Sequence, residues 1–151
     1  YFAGALVVMV IFLGALIHIS LLVRDPSAPF AARALAEWPF DLYLAWISVA
    51  LIANSFQYAH VVAWSGFGLP ESTWAVVMMA VATILGLIMT RAHGMWLFPV
   101  VVAWAVHGIG VRYADQPSLA EPAQAFVLFG LAGGAARMLW LWRTRPTQTT
   151  A

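Results

Sequence analysis

The sequence contains no cysteine and no lysine, and only 9% of its 151 residues are charged. Without cysteine there are no disulfides, no thiolate metal sites and no cysteine nucleophiles. A soluble domain carries about a quarter charged residues and less than half apolar ones. Here 64% of the residues are hydrophobic and the mean hydropathy is +0.89. A particle of this size leaves a large share of its surface in water, so that much apolar surface has nowhere to hide in a soluble fold. A soluble enzyme, a nucleic-acid binder and a disordered tail are excluded on this ground. Seven arginines against six carboxylates give a formal net charge of +1, which points to no charged partner. The composition is that of a polytopic membrane protein.

What is there is a set of long apolar runs. A helix needs roughly 20 mostly apolar residues to cross the hydrocarbon core. Five stretches approach this, at 1–23, 40–64, 73–90, 95–111 and 123–142, and they predict an all-α integral membrane protein, a bundle of five transmembrane helices in a single unit. Arg24, Asp25 and Pro26 end the first span, and Ser65, Gly66, Phe67 and Gly68 follow the second. Ser118 and Glu121 have capping-box spacing ahead of the fifth. Between the first two spans, Pro29, Phe30, Leu35 and neighbouring alanines suit a short helix lying at the membrane surface. Tyr1 stands directly in an apolar run with no Met and no polar lead-in, so an upstream segment is expected to be missing.

Orientation follows from the arginines. Five spans place Arg24, Arg33, Arg91, Arg143 and Arg145 on one side, and Arg137 reaches the same side by snorkelling. The other side holds Arg112 with Glu71, Asp115 and Glu121. By the positive-inside rule the C-terminus is cytoplasmic.

Trp38, Trp64, Trp74, Trp96, Trp140 and Trp142 fall at span ends, where indole rings settle at headgroup level. Trp46 and Trp104 do not, for each lies well inside its span. On helical spacing Trp46 shares a face with Ala50, Ala53, Asn54 and Gln57, and Trp104 with His107 and Gly108. Polar groups at such depths belong against protein or a cavity. Asn54, Gln57, His60 and His107 therefore serve either as interhelical hydrogen-bonding groups or as part of an aromatic and polar pocket inside the bundle. Asp41, in the first turn of its span, suits the positive end of the helix dipole. Gly130, Gly133 and Gly134, with Ala135 and Ala136, make a smooth face for close helix packing, against an internal neighbour or another subunit. No acid/base pair, nucleotide-binding fingerprint or nucleophile elbow occurs, so no enzyme activity is expected.

The stretch from Trp38 to Asn54, WPFDLYLAWISVALIAN, resembles the "PFSxYxGWxxVAxxAN" segment of the TspO/MBR-like tryptophan-rich sensory proteins. The resemblance continues at Trp74–Met78 and at Trp104–Val111 followed by Arg112, covering roughly residues 38 to 112. It is closer to the longer bacterial branch, in which a segment rich in Pro, Trp and Tyr precedes the part present here. It implies a five-helix TspO-like bundle in the bacterial inner membrane that binds a hydrophobic ligand, a tetrapyrrole or a lipid, with a sensory or transport role. Trp46 and Asn54 fall on the Trp and Asn of the motif, and Trp104 on the Trp of the later span. Those three and Gln57 are the candidate ligand-binding residues. His60 and His107 stand where the family pattern has aromatic or aliphatic residues. Counted from the ends of their spans they lie at similar depth, which suggests a shared axial-ligand site for haem or a chlorophyll-type tetrapyrrole. The alternative to a free ligand-binding protein, alone or as a homo-oligomer, is an accessory structural subunit of a larger photosynthetic or respiratory membrane complex. Its exterior would then pack against other subunits, pigments and lipids.

Overall fold

The computed structural model describes residues 1–25 and 27–143; Pro26 and Arg145, which entered the reading above, lie outside them. Six α-helices follow one another: α1 Phe2–Leu22, α2 Phe30–Ala36, α3 Trp38–Val61, α4 Glu71–His93, α5 Leu97–Arg112 and α6 Pro117–Arg143. No strand occurs among the described residues. Helices α1, α3, α4 and α6 are long and apolar enough to cross a membrane, and α5, with 16 residues, is a shorter apolar helix. At 1.5 Å per residue α5 is about 24 Å long, slightly less than the hydrocarbon core. The chain is a five-helix membrane bundle, with α2 as the short additional helix expected between the first two spans.

Helix α5 is the centre of the bundle, packed against α3, α4 and α6, while α1 lies along α3. The core runs through Leu44 and Ala45 of α3, Met79 and Ala82 of α4, Phe98, Val102 and Val106 of α5, and Ala123 of α6. The smooth glycine face of α6 is used internally. A Cβ on Gly130 would stand 3.0 Å from the Pro99 carbonyl oxygen and 3.3 Å from Ala103 Cβ, and one on Gly134 would stand 3.2 Å from the Trp96 carbonyl oxygen. Gly133 points to the other neighbour, and a Cβ there would collide with the Leu87 side chain of α4. Small residues thus let α6 seat its backbone against α5 and α4 at once. Helix α6 also begins earlier than the sequence suggested. It starts at Pro117 and passes through Pro122, so Ser118 and Glu121 lie inside the helix rather than at its cap. Leu119 and Ala123 are buried and hold this first stretch on the core. Pro122 has no N–H to donate one turn back.

Two connections are tightly built. Gly94 ends α4 in the left-handed region at φ 74°, and Thr90 Oγ1 lies 2.8 Å from the Gly86 carbonyl and 3.1 Å from that of Met95, tying the turn to the helix before it. At the same end of the bundle, α1, α2 and α3 are joined by charge. Arg24 Nη2 donates to Asp41 Oδ1 at 2.6 Å, and Arg33 donates to both oxygens of Glu37 at 2.9 and 3.1 Å. Arg24 Nη1 and the backbone N–H of Asp25 also reach the Glu37 carboxylate, at 3.4 and 3.2 Å. Glu37 and Asp41 are each only 2% exposed. The sequence reading assigned Asp41 to the helix dipole and gave Glu37 no part. Both are the buried anions of a four-residue ion cluster. Outside it, the Ser27 hydroxyl and N–H bond the Asp25 carboxylate and hold its pKa below the ordinary value.

Two outcomes follow from this packing. Gly130→Ala and Gly133→Ala should each lower the thermal midpoint in detergent, at a cost of about 1–3 kcal/mol for overpacking. Gly108→Ala, whose added Cβ meets nothing within 4 Å, should leave it unchanged. Glu37→Ala leaves Arg33 without its carboxylate and Arg24 with Asp41 alone, and should cost about 3 kcal/mol, the usual scale for removing one partner of a buried ion pair. Limited proteolysis should show it first as cleavage between α1 and α3, with α4–α6 still protected.

Candidate functional site

The residues that the sequence set apart as interior tryptophans meet in space. Trp46, about two turns into α3, and Trp104, about two turns into α5, stand with ring centroids 5.5 Å apart and planes inclined by 41°. They form one end of a groove of about 430 Å³ between α3 and α5, whose walls include Ala50, Ala53, His107 and Gly108. Alanine and glycine at these positions leave the space that the two indoles border. The groove opens sideways: Trp46 is 43% exposed and Trp104 is 64% exposed, on a surface that in a membrane faces acyl chains. Apart from the indole N–H groups, the polar side chain at the groove is the His107 imidazole. It has no hydrogen-bond partner among the described residues. An imidazole with unmet donors and acceptors is costly against hydrocarbon.

The other candidate residues lie elsewhere. Asn54 donates from Nδ2 to the Ala50 carbonyl of its own helix at 2.8 Å, about 80° round α3 from Trp46. Gln57 is exposed and does not line the groove. His60 belongs to a second cavity of about 290 Å³ formed by the ends of α3 and α4, beside Phe56, Trp64, Glu71 and Trp74. Its Nδ1 lies 3.3 Å from Glu71 Oε1, and its ring meets Phe56 edge-on at 5.0 Å. The shared histidine site is therefore not assembled. Counting depth from the helix ends misplaced the pair, because α3 and α5 differ in length. The Trp46–Trp104 contact sets the true register: His60 lies fourteen residues beyond Trp46, His107 only three beyond Trp104. Their levels differ by roughly 16 Å along the bundle. Among the described residues there is no cluster of three or more metal-ligating side chains.

The second cavity was not anticipated. Its loop holds Ala63 and Phe67 at positive φ, 51° and 53°, an arrangement that costs energy for residues with a Cβ. Trp74 Nε1 donates to the Gly66 carbonyl at 2.8 Å, and Trp64 packs on Trp74 at 4.9 Å, holding the loop down. The signal available in the sequence was the aromatic run Trp64, Phe67, Trp74 around two glycines, which reads equally well as an interfacial aromatic belt.

A bundle of five membrane helices with an aromatic groove open to the bilayer defines a multi-pass membrane protein with a lateral site. Residues 1–138 match the family described as TSPO-like protein, and the chain belongs to that family. No curated protein and no solved structure matches it.

The Trp46–Trp104 contact can be checked directly. Two indoles this close couple their transitions, so Trp46→Phe and Trp104→Phe should remove the same feature from the circular dichroism spectrum, and the double variant should remove no more than either. Additive losses would show the rings to be apart.

Proposed function

We propose that this TSPO-like protein binds a flat hydrophobic ligand of the tetrapyrrole class in the groove between α3 and α5, without catalysing its conversion. The observation that carries the reading is the paired Trp46 and Trp104 rings beside an unpartnered His107, in a groove that opens to the side. A planar aromatic ligand gains stacking area on indole faces at little entropic cost. Lateral opening lets a molecule that partitions into lipid enter without crossing water. His107 would hydrogen-bond a ligand edge or ligate the metal of a metallated tetrapyrrole, as neutral imidazole commonly does. The ligand is thus contacted by Trp46, Trp104 and His107, while Asn54 and Gln57 act outside the groove and His60 takes no part. Sensing or transport in a bacterial inner membrane, with the arginine-rich end cytoplasmic, fits a site of this kind.

Titration with protoporphyrin IX tests this. Tryptophan fluorescence of the wild type should quench saturably. Trp46→Ala with Trp104→Ala should abolish the saturable part, and Gly108→Leu, which fills the groove without touching the core, should weaken it about tenfold or more. With haem, His107→Leu should shift the visible absorption band while His60→Leu leaves it in place. Quenching that survives the double substitution would move the ligand out of this groove. An accessory subunit of a photosynthetic or respiratory complex would instead co-migrate with a large assembly in mild detergent and show no saturable quenching in isolation. Helix α1, apolar and exposed along most of its length, is the surface such an assembly would cover.

A further inference from the structure

The cavity at the end of the bundle opposite the arginine cluster is built differently from the α3–α5 groove. It occupies about 290 Å³, the small end of the range for ligand pockets. Phe56 and His60 come from α3, Glu71 and Trp74 from α4, and Trp64 from the connection between them. The aromatic wall is set by the protein itself. Trp64 packs on Phe67 at 5.3 Å and on Trp74 at 4.9 Å, and the Trp74 indole is anchored to Gly66. The two non-glycine residues at positive φ, Ala63 and Phe67, stand on either side of Trp64 in the chain, and strained backbone of this kind clusters at ligand clamps. The cavity is open to a visiting molecule, because the side chains of His60 and Glu71 are 45% and 77% exposed at its rim.

The aromatic wall shares the cavity with an anion. Among the described residues the one ionic partner of Glu71 is the His60 imidazole, 3.3 Å away on the facing helix. A neutral imidazole that donates through Nδ1 leaves the carboxylate its charge. The same end of the bundle also holds Asp115 and Glu121, while its arginine, Arg112, lies against the Tyr113 ring. A surface of this sign attracts cations and repels anions. A metal ion finds too few ligands, since no group of three or more metal-binding side chains occurs among the described residues. A neutral apolar molecule would strip water from the carboxylate and return nothing. An ammonium group suits both parts of the site. Its charge pairs with Glu71, and its body lies on phenyl and indole faces, which attract cations through the ring quadrupole, Trp most strongly.

We propose that the cavity between the end of α3 and the start of α4 binds an organic ammonium cation, with Glu71 as its counter-ion and Phe56, Trp64 and Trp74 as its aromatic wall. A zwitterionic lipid headgroup and a free amine share this chemistry, and both reach a site whose tryptophans sit at headgroup level. The site is separate from the groove at Trp46 and Trp104, and its occupancy does not depend on the ligand proposed there. A cation held here would bridge α3 and α4, which otherwise touch each other sparsely.

Saturation-transfer NMR in maltoside detergent tests the proposal, with tetramethylammonium as the probe and tert-butanol as its uncharged counterpart. The tetramethylammonium signal should saturate with the wild type, and tert-butanol should give no saturable signal. Glu71→Gln should weaken binding about three- to fivefold, the scale of an exposed charge pair. Glu121→Gln, the same charge change at the same end of the bundle, should leave it within about twofold. Phe56→Leu and Trp64→Leu keep apolar bulk but remove a ring face, and each should weaken binding by about twofold or more. Phe56→Leu, on a helix and outside the strained connection, carries the test if Trp64→Leu does not fold. A short-chain phosphatidylcholine that displaces the probe better than free choline would support the site and assign it to a lipid headgroup. Free choline displacing it at least as well would support the site and assign it to a free amine. Equal losses in Glu71→Gln and Glu121→Gln would reveal diffuse attraction to an acidic surface and overturn the proposal. So would the absence of a saturable tetramethylammonium signal, equal binding of tert-butanol, or binding unchanged in both Glu71→Gln and Phe56→Leu.

Discussion

Helix α5 keeps its place in the bundle because α6 offers it glycines where side chains would otherwise stand. Gly130 and Gly134 bring the α6 backbone to the carbonyls of Pro99 and Trp96, and Gly133 receives Leu87 of α4 on the adjoining face. In lipid there is little hydrophobic drive between helices, so close van der Waals packing of this kind supplies much of the association energy. With one side of α5 fixed against α4 and α6, its opposite side presents Trp104, His107 and Gly108 toward α3. The groove therefore depends on packing on the far side of the helix that lines it.

Helix α3 is fixed from its other end. Glu37 and Asp41, one turn apart, gather Arg24 from the end of α1 and Arg33 from α2, so three segments converge on two buried carboxylates. Such a cluster gives a specific geometry more than net stability, because the gain from pairing is offset by desolvation. Its consequence for the site is positional. It sets where α3 begins, and Trp46 is carried at a fixed height above that point, opposite Trp104.

The helices were legible in the sequence because apolar runs of membrane-spanning length interrupted by Arg, Pro and Gly admit few other readings. Trp46 and Trp104 were each legible as set apart on another ground, since indoles belong at the interface and these two fall inside their spans; that their rings meet was not. The relative register of the helices was not legible. Helices α1 and α5 are apolar on nearly every side, so no stripe tells which face is buried or at what height a neighbour sits. His60 and His107 were accordingly set at one depth when they belong to different cavities. Asn54 carried the family motif, yet its amide is spent on its own helix at Ala50. The ion cluster had a readable trace, the i, i+4 steps from Arg33 to Glu37 to Asp41. Those residues lie in a connector and at a helix start, where charge is ordinary, and their burial is a property of the fold alone. The glycine face of α6 announced close packing without naming its partner, which the structure places inside the same chain.

We propose the α3–α5 groove, and no other surface of the bundle, as the place where a hydrophobic ligand binds. Photolabelling with a diazirine-bearing porphyrin in nanodiscs, followed by peptide mapping, addresses it most directly. The account predicts labelling confined to residues 46–53 of α3 and 104–108 of α5, competed away by unlabelled porphyrin. Competable labelling centred on Trp64 and Trp74, or distributed along α1, would contradict it.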